Sequence, residues 1–270
     1  MNAKIAERTK LIAEDRVHGA GWLARQAVEA LAEAVEEGAD PLEAARELAR
    51  ARPAMGAVAG AVGRVLAAGR TPELLIQQAH ALVEARDRAA HSIAVLVRPD
   101  IENGTVMTHS ASATVREALL HAQPARVVCT VSEPQDEGRP FAEDLTNEGL
   151  TVEVVADEDA AHAVTTVDTV LLGADSVFRD GSLVNKSGTS DLAKAANEVG
   201  VPVLVACETF KLAPSDPEEP GEDAFELTPA EQIDRYITEE GVFPPDEIAA
   251  LVDRTPFLRD GYELLRGQRT

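Results

Sequence analysis

The sequence predicts an α/β protein: a helical bundle over residues 1–98, followed by a Rossmann-like, doubly wound parallel sheet over residues 99–270. Three observations predict it. Up to about residue 95 the chain reads as helix after helix. From Gly104 onward, short apolar runs alternate with helical patterns, as in strand–helix–strand units that build a parallel sheet. Those runs are continuous rather than alternating, as expected of strands covered on both faces.

In the first part, "GWLARQAVEALAEAVEEG" is Ala-rich with helical apolar spacing and stops at Gly38. "DPLEAARELARA" starts with Asp40 as a cap and Pro41 at the first helical position. "AMGAVAGAVGRVLAAG" is a small-residue helix suited to close packing, and "TPELLIQQAHALVEARDRAAHSIAVLV" repeats the cap pattern with Thr71 and Pro72. In the second part, "TVMTH", "RVVCTV", "LTVEVV", "DTVLLGAD" and "VPVLVAC" read as strands, each followed by a helical stretch or, after the last, by "ETFKL". "APSDPEEPGED" reads as a Pro- and acid-rich loop. "TPAEQIDRYITEEG" (228–241), again starting Thr-Pro, predicts a helix.

The chain has 270 residues, 45% of them hydrophobic, enough for a real core, but only 3% are aromatic, so that core is Ala, Val and Leu. The formal net charge is -22. Lysine is scarce: Lys4, Lys10, Lys186, Lys194 and Lys211. An acidic, lysine-poor surface suits high salt, where screening suppresses self-repulsion, so a halophilic source is expected. The acidity disfavours direct nucleic-acid binding. Cys129 and Cys207 sit inside apolar runs and predict buried thiols rather than a disulfide or a metal site. With no apolar run near ~20 residues and no signal-peptide core in "MNAKIAERTK", the expectation is a cytoplasmic protein with no membrane contact. No metal and no cofactor are expected.

In open α/β sheets, ligands bind beyond the carboxyl ends of the strands. Four segments deliver polar groups there: Thr108 to Ser112, Gly173 to Asp175, Asn185 to Thr189, and Glu208 to Lys211. A helix start offers free N–H groups to an anion. Gly188 permits close approach, and Ser187 or Thr189 adds a hydroxyl. Lys186 and Lys211, two of only five lysines, both fall at predicted strand-to-helix junctions. Each residue also has a plainer reading: Asp175 as a turn-bonding carboxylate, Lys186 as a solvated lysine, Ser110 or Ser112 as a helix cap, His109 as a satisfied buried histidine. Together they point to a small anionic ligand.

The stretch "LLGADSVFRDGSLVNKSGTSDLAKAANEVGVPVLVACETFKL" resembles the α/β/δ regulatory subunits of translation initiation factor 2B. It is equally similar to their sugar-phosphate relatives, ribose-1,5-bisphosphate isomerase and methylthioribose-1-phosphate isomerase. "THSAS", "SEPQDEGR", "TPAEQIDRYITEEG", "HGAG" and "ARPAMGAV" extend the resemblance over nearly the whole chain. It implies a helical domain on a Rossmann-like domain, assembled as a dimer or larger homo-oligomer, with translation-factor subunits as possible partners. It also implies a catalytic aspartate at Asp175 and, where the isomerases carry a cysteine, Ser110. A serine hydroxyl is a far weaker acid than a thiol. The isomerases' I-R-G-A reads Val17-His18-Gly19-Ala20 here, and their S-R-P reads Ser132-Glu133-Pro134, so two arginines suited to phosphate are replaced. Arg52, Ser112, Asn185, Lys186, Gly188, Thr189 and Lys211 are retained.

Three readings follow. The first is an initiation-factor-2B-like protein that binds a sugar phosphate or nucleotide without efficient catalysis. Ser110, His18 and Glu133 favour it. The second is a ribose-1,5-bisphosphate isomerase, an intramolecular aldose–ketose oxidoreductase. Asp175 favours it, because many initiation-factor subunits resemble each other in carrying glutamate there. The third is a structural subunit without a ligand.

Overall fold

The computed structural model describes residues 3–16, 18–69 and 71–267. The first part is all helical: α1 (Ala3–Glu14), α2 (Ala20–Glu36), α3 (Pro41–Ala49), α4 (Gly56–Ala68) and α5 (Pro72–Ile101). The caps form as their sequences require. Asp40 accepts the N–H of Glu43 at 2.8 Å, and Thr71 that of Leu74 at 3.4 Å, each with proline opening the helix. Leu23, Leu31, Leu48, Val58 and Val62 bury fully in the core between these helices. The small residues of α4 let it press against the rest of the molecule. A Cβ on Gly60 would lie 2.2 Å from the Phe210 carbonyl oxygen, so only glycine fits there, and Phe210 joins the bundle core. The long helix α5 straddles residue 98: Leu75 and Ala79 face the bundle core, whereas Ile93, Ala94 and Val97 pack in the core beneath the sheet.

The rest of the chain alternates as predicted through β1 (Thr105–Thr108), α6 (Ala113–Ala122), β2 (Arg126–Thr130), α7 (Gly138–Asn147), β3 (Val152–Val155), the single-turn α8 (Ala160–Ala163) and β4 (Thr169–Leu172). A hairpin follows, β5 (Ser176–Phe178) and β6 (Leu183–Lys186), then α9 (Thr189–Val199), β7 (Val203–Ala206) and the short β8 (Leu212–Ala213). The chain closes with β9 (Phe225–Thr228), β10 (Arg235–Thr238), β11 (Gly241–Phe243), α10 (Ile248–Arg254) and α11 (Leu258–Arg266). The main sheet has the order β11-β10-β7-β4-β1-β2-β3, parallel throughout except for the β10–β11 pair. All residues of β4 and β7 are buried, which explains why they are apolar apart from Thr169, whose hydroxyl donates to the Asp100 carbonyl. A second sheet, β8-β5-β6-β9, carries Asn185 and Lys186 on its β6 strand. Among the described residues no helix is long and apolar enough to cross a membrane.

One expectation fails. Residues 228–241 are not a helix. Thr228 ends β9, a 3-10 turn spans Ala230–Gln232, and Arg235–Thr238 forms a strand beside β7. The Thr-Pro pair imitates a helix start, but the neighbouring Tyr236 and Ile237 are fully buried in different cores. Adjacent residues face opposite ways in a strand and not in an amphipathic helix, so pairing with β7 overrides the local signal.

Candidate ligand-binding site

The strand order reverses at β1, which lies between β4 and β2. The carboxyl ends of β1 and β4 therefore flank the crevice where open α/β sheets bind ligands. The segment after β1 is fixed by His109, which is buried. Its Nε2 lies 2.8 Å from the Ser187 carbonyl, which can only accept, so Nε2 carries the proton. Nδ1 then accepts from the Thr130 hydroxyl at 2.6 Å. Burial pushes this imidazole's pKa down, consistent with a neutral ring. His109 is a strut that joins β1, β2 and the approach to α9; its plainer reading is the one the structure supports.

Ser110 follows in the left-handed region at φ 62°, with its N–H donated to the Ser132 hydroxyl at 2.7 Å. Its own hydroxyl donates to Glu137 Oε2 at 2.5 Å. The other oxygen of Glu137 takes the Lys186 ammonium at 2.9 Å, and Gln135 Oε1 takes it at 2.7 Å. Lys186 is buried, so the solvated-lysine reading does not hold. One glutamate thus connects the positions at the ends of β1 and β6.

Asp175, just past the end of β4, is partly buried, and its carboxylate makes no hydrogen bond within the described residues. Burial pushes its pKa up to about 6; Lys211, Arg52 and Lys186 pull the other way, and Glu137 adds to the rise. Lys211 is buried 3.1 Å from Glu208, which also accepts from the Thr114 hydroxyl at 2.8 Å. Burial alone would lower the lysine's pKa, but Glu208 and Asp175 outweigh it and hold the amine above its usual value. Arg52, in the turn between α3 and α4, is 3% exposed. It donates to the Asp15 carbonyl and, at 3.1 Å, to Glu222 of the acidic loop. Arg52, Lys186, Lys211 and Asp175 therefore share one electrostatic neighbourhood.

The start of α9 is built as the sequence suggests but is already occupied. Gly188 has φ 100°, and a Cβ there would lie 2.9 Å from the His109 ring, so the position requires glycine. Asn185 donates to Thr189, and Thr189 donates back to the Lys186 carbonyl. The N–H groups of Gly188 and Ser190 both donate to Glu226 Oε1, at 2.9 and 2.7 Å. Ser112 caps α6 by accepting the Val115 N–H, and its side chain lies against Gly173. It keeps its cap role while standing at the end of β4.

The N-terminal quartet stands apart. Val17 lies outside the described residues. His18 is exposed, bonded through Nδ1 to Asp15 at 2.8 Å and stacked on Trp22. Gly19 is exposed and Ala20 is buried in the bundle core. Their link to Arg52 runs through Asp15, which bonds His18 through its carboxylate and Arg52 through its carbonyl. Glu133 is exposed, with its N–H taken by Asp157 at 2.7 Å.

Sequence reasoning missed Glu137, Gln135, Glu222 and Glu226 as site residues. Gln135 and Glu137 lie in the segment "SEPQDEGR", noted only as a whole, and Glu222 in the acid-rich loop "APSDPEEPGED"; Glu226 left no trace. Cys129 and Cys207 are free and buried, as expected. Burial pushes the Cys129 thiol up to about 12 and Cys207 higher still, so neither supplies a thiolate. Among the described residues no group of three or more His, Cys, Asp or Glu is placed to hold a metal ion.

The sequence pattern of the Initiation factor 2 subunit family matches residues 16–220. Ribose 1,5-bisphosphate isomerase of Methanocaldococcus jannaschii is 30% identical over 93% of this chain and 94% of its own. The solved structure of the translation initiation factor eIF-2B of Pyrococcus horikoshii OT3 superposes with a TM-score of 0.80. It is 26% identical and covers 91% of this chain and 98% of that one. A chain of the tetrameric eIF2B-beta2-delta2 complex from C. thermophilum shares the fold at a TM-score of 0.79 and 21% identity, over 92% of both chains.

Proposed function

The chain belongs to the initiation factor 2 subunit family, and from that premise we propose that it binds a sugar phosphate or nucleotide at the β1–β4 crevice without efficient catalysis. The observation that carries this reading is the state of position 110. Where the isomerases that the chain resembles place a cysteine, a serine hydroxyl donates to Glu137. A hydroxyl held by a carboxylate, itself paired with Lys186, is a poor proton donor at neutral pH. Phosphate recognition falls to Lys186, Lys211 and Arg52, with Asn185, Gly188 and Thr189 shaping the wall and Ser112 at the β4 end. His18, Gly19 and Ala20 act through the chain that holds Arg52.

The protein works as a homo-oligomer, with translation-factor subunits as candidate partners; the tetramer of a fold neighbour, built from two kinds of subunit, supports assembly with such partners. Its setting is a high-salt cytoplasm, in keeping with a net charge of -22.

A second reading, ribose-1,5-bisphosphate isomerisation, has one observation in its favour. Asp175, whose carboxylate makes no hydrogen bond among the described residues, is pushed up to about 6, suited to moving a proton near neutrality. The archaeal relative's name points the same way.

Calorimetric titration of ribose 1,5-bisphosphate into the protein in high potassium chloride tests the binding claim. A lysine–phosphate contact contributes ~1.5–3 kcal/mol, so Lys186→Ala is expected to weaken binding roughly tenfold or more. Equal affinity in wild type and variant contradicts the assignment.

A further inference from the structure

The cationic groups of the pocket have internal carboxylate partners, and these are held in different ways. Glu208 is buried and bonded to Thr114 as well as paired with Lys211. Glu226 holds two backbone N–H groups rather than a cation, and Glu222 pairs with Arg52 while its side chain is 25% exposed. Glu137 lies between positions 110 and 186. It immediately precedes α7, yet its side chain makes no capping bond to that helix. Instead it reaches across to the Ser110 hydroxyl and the Lys186 ammonium. Its side chain remains 30% exposed while that of Lys186 is only 5% exposed. It therefore has room to swing outward, and Lys186 gains a free donor when it does.

We infer that Glu137 is an internal competitor for the ligand: its carboxylate occupies the hydroxyl and the ammonium that a phosphate group would use, and it must leave them before a phosphorylated ligand can bind. The inference rests on the ligand-binding reading of this same pocket. With Glu137 in place, an incoming phosphate meets a like charge at hydrogen-bond distance from the cation it needs. With Glu137 displaced, one anion replaces another on Lys186, and the net gain is smaller than for an unpaired lysine. Glu137 thereby sets the affinity and favours a phosphate dianion, which binds an ammonium more strongly than a neutral hydroxyl does. The ligand class is a phosphate ester, with an unphosphorylated pentose excluded.

The test is titration calorimetry on the full chain in potassium chloride, with inorganic phosphate and ribose 1,5-bisphosphate as probes. Wild type is compared with Glu137→Ala, Glu137→Gln, Lys186→Ala and the Glu137→Ala/Lys186→Ala double variant. Glu137→Ala is expected to tighten binding roughly tenfold and Glu137→Gln about threefold. The double variant should bind no better than Lys186→Ala, because the competitor acts through the lysine. If Lys186→Ala loses affinity but Glu137→Ala binds as wild type or more weakly, the competitor is refuted and the pocket stands. If no variant, Glu137→Ala included, binds either probe, the ligand-binding reading fails and the competitor fails with it. Should Glu137→Ala not fold, Glu137→Gln decides: tighter binding supports the competitor, and equal or weaker binding refutes it.

Discussion

Glu226 Oε1 accepts the Gly188 N–H at 2.9 Å at the very start of α9, and the same oxygen takes Ser190. The helix end that would attract an anion thus already holds one, supplied by a neighbouring strand of the second sheet. Glu226→Ala is expected to cost about 1–2 kcal/mol, through two lost charge-assisted bonds and an uncompensated helix dipole. Urea unfolding checks it; an unchanged midpoint would show that solvent serves those N–H groups equally well.

Asp175 should behave as a group placed for function at a cost to the fold. Its folded pKa of about 6 lies above the ordinary 3.8. Between these values the folded state holds the extra proton, so stability rises as pH falls from about 6 toward 3.8, and the cost is fully present at pH 7. Asp175→Asn removes that cost and is expected to stabilise the protein at pH 7 by about 1–2 kcal/mol, after allowance for partial exposure. The advantage should shrink as pH drops through 6. A variant less stable than wild type at pH 7 would make Asp175 a structural residue.

Much of this was legible in the sequence, and the reasons are local. Asp40 with Pro41 and Thr71 with Pro72 mark helix starts that need only their own turn. Val170 to Leu172 and Val203 to Ala206 mark strands buried on both faces. Lys186 and Lys211 stood out because lysine is rare in this chain. Their partners did not. With 47 acidic residues, one more glutamate carries no positional information, and Glu137, Glu222 and Glu226 become significant only through contacts 27 to 170 residues away in sequence. The second sheet was missed for the same reason. Its strands are short, and β9 and β6 pair across the whole of α9 and β7.

The surface charge makes a prediction of its own. At a net charge of -22, withdrawing salt removes the screening that limits self-repulsion. The melting temperature is expected to rise steadily with potassium chloride up to molar concentrations. A flat or falling dependence, followed by scanning calorimetry, would contradict adaptation to high salt.

The central claim, a phosphate pocket that binds without efficient turnover, is tested most directly by phosphorus-31 NMR of ribose 1,5-bisphosphate mixed with stoichiometric protein. One spectrum series reports both binding, through shifted or broadened resonances, and conversion, through the appearance of ribulose 1,5-bisphosphate. The account predicts perturbed resonances in wild type, their loss in Lys186→Ala, and conversion far below ordinary enzymatic rates of ~1 per second. Conversion at ~1 per second or faster that Asp175→Asn abolishes would contradict it and establish the isomerase reading.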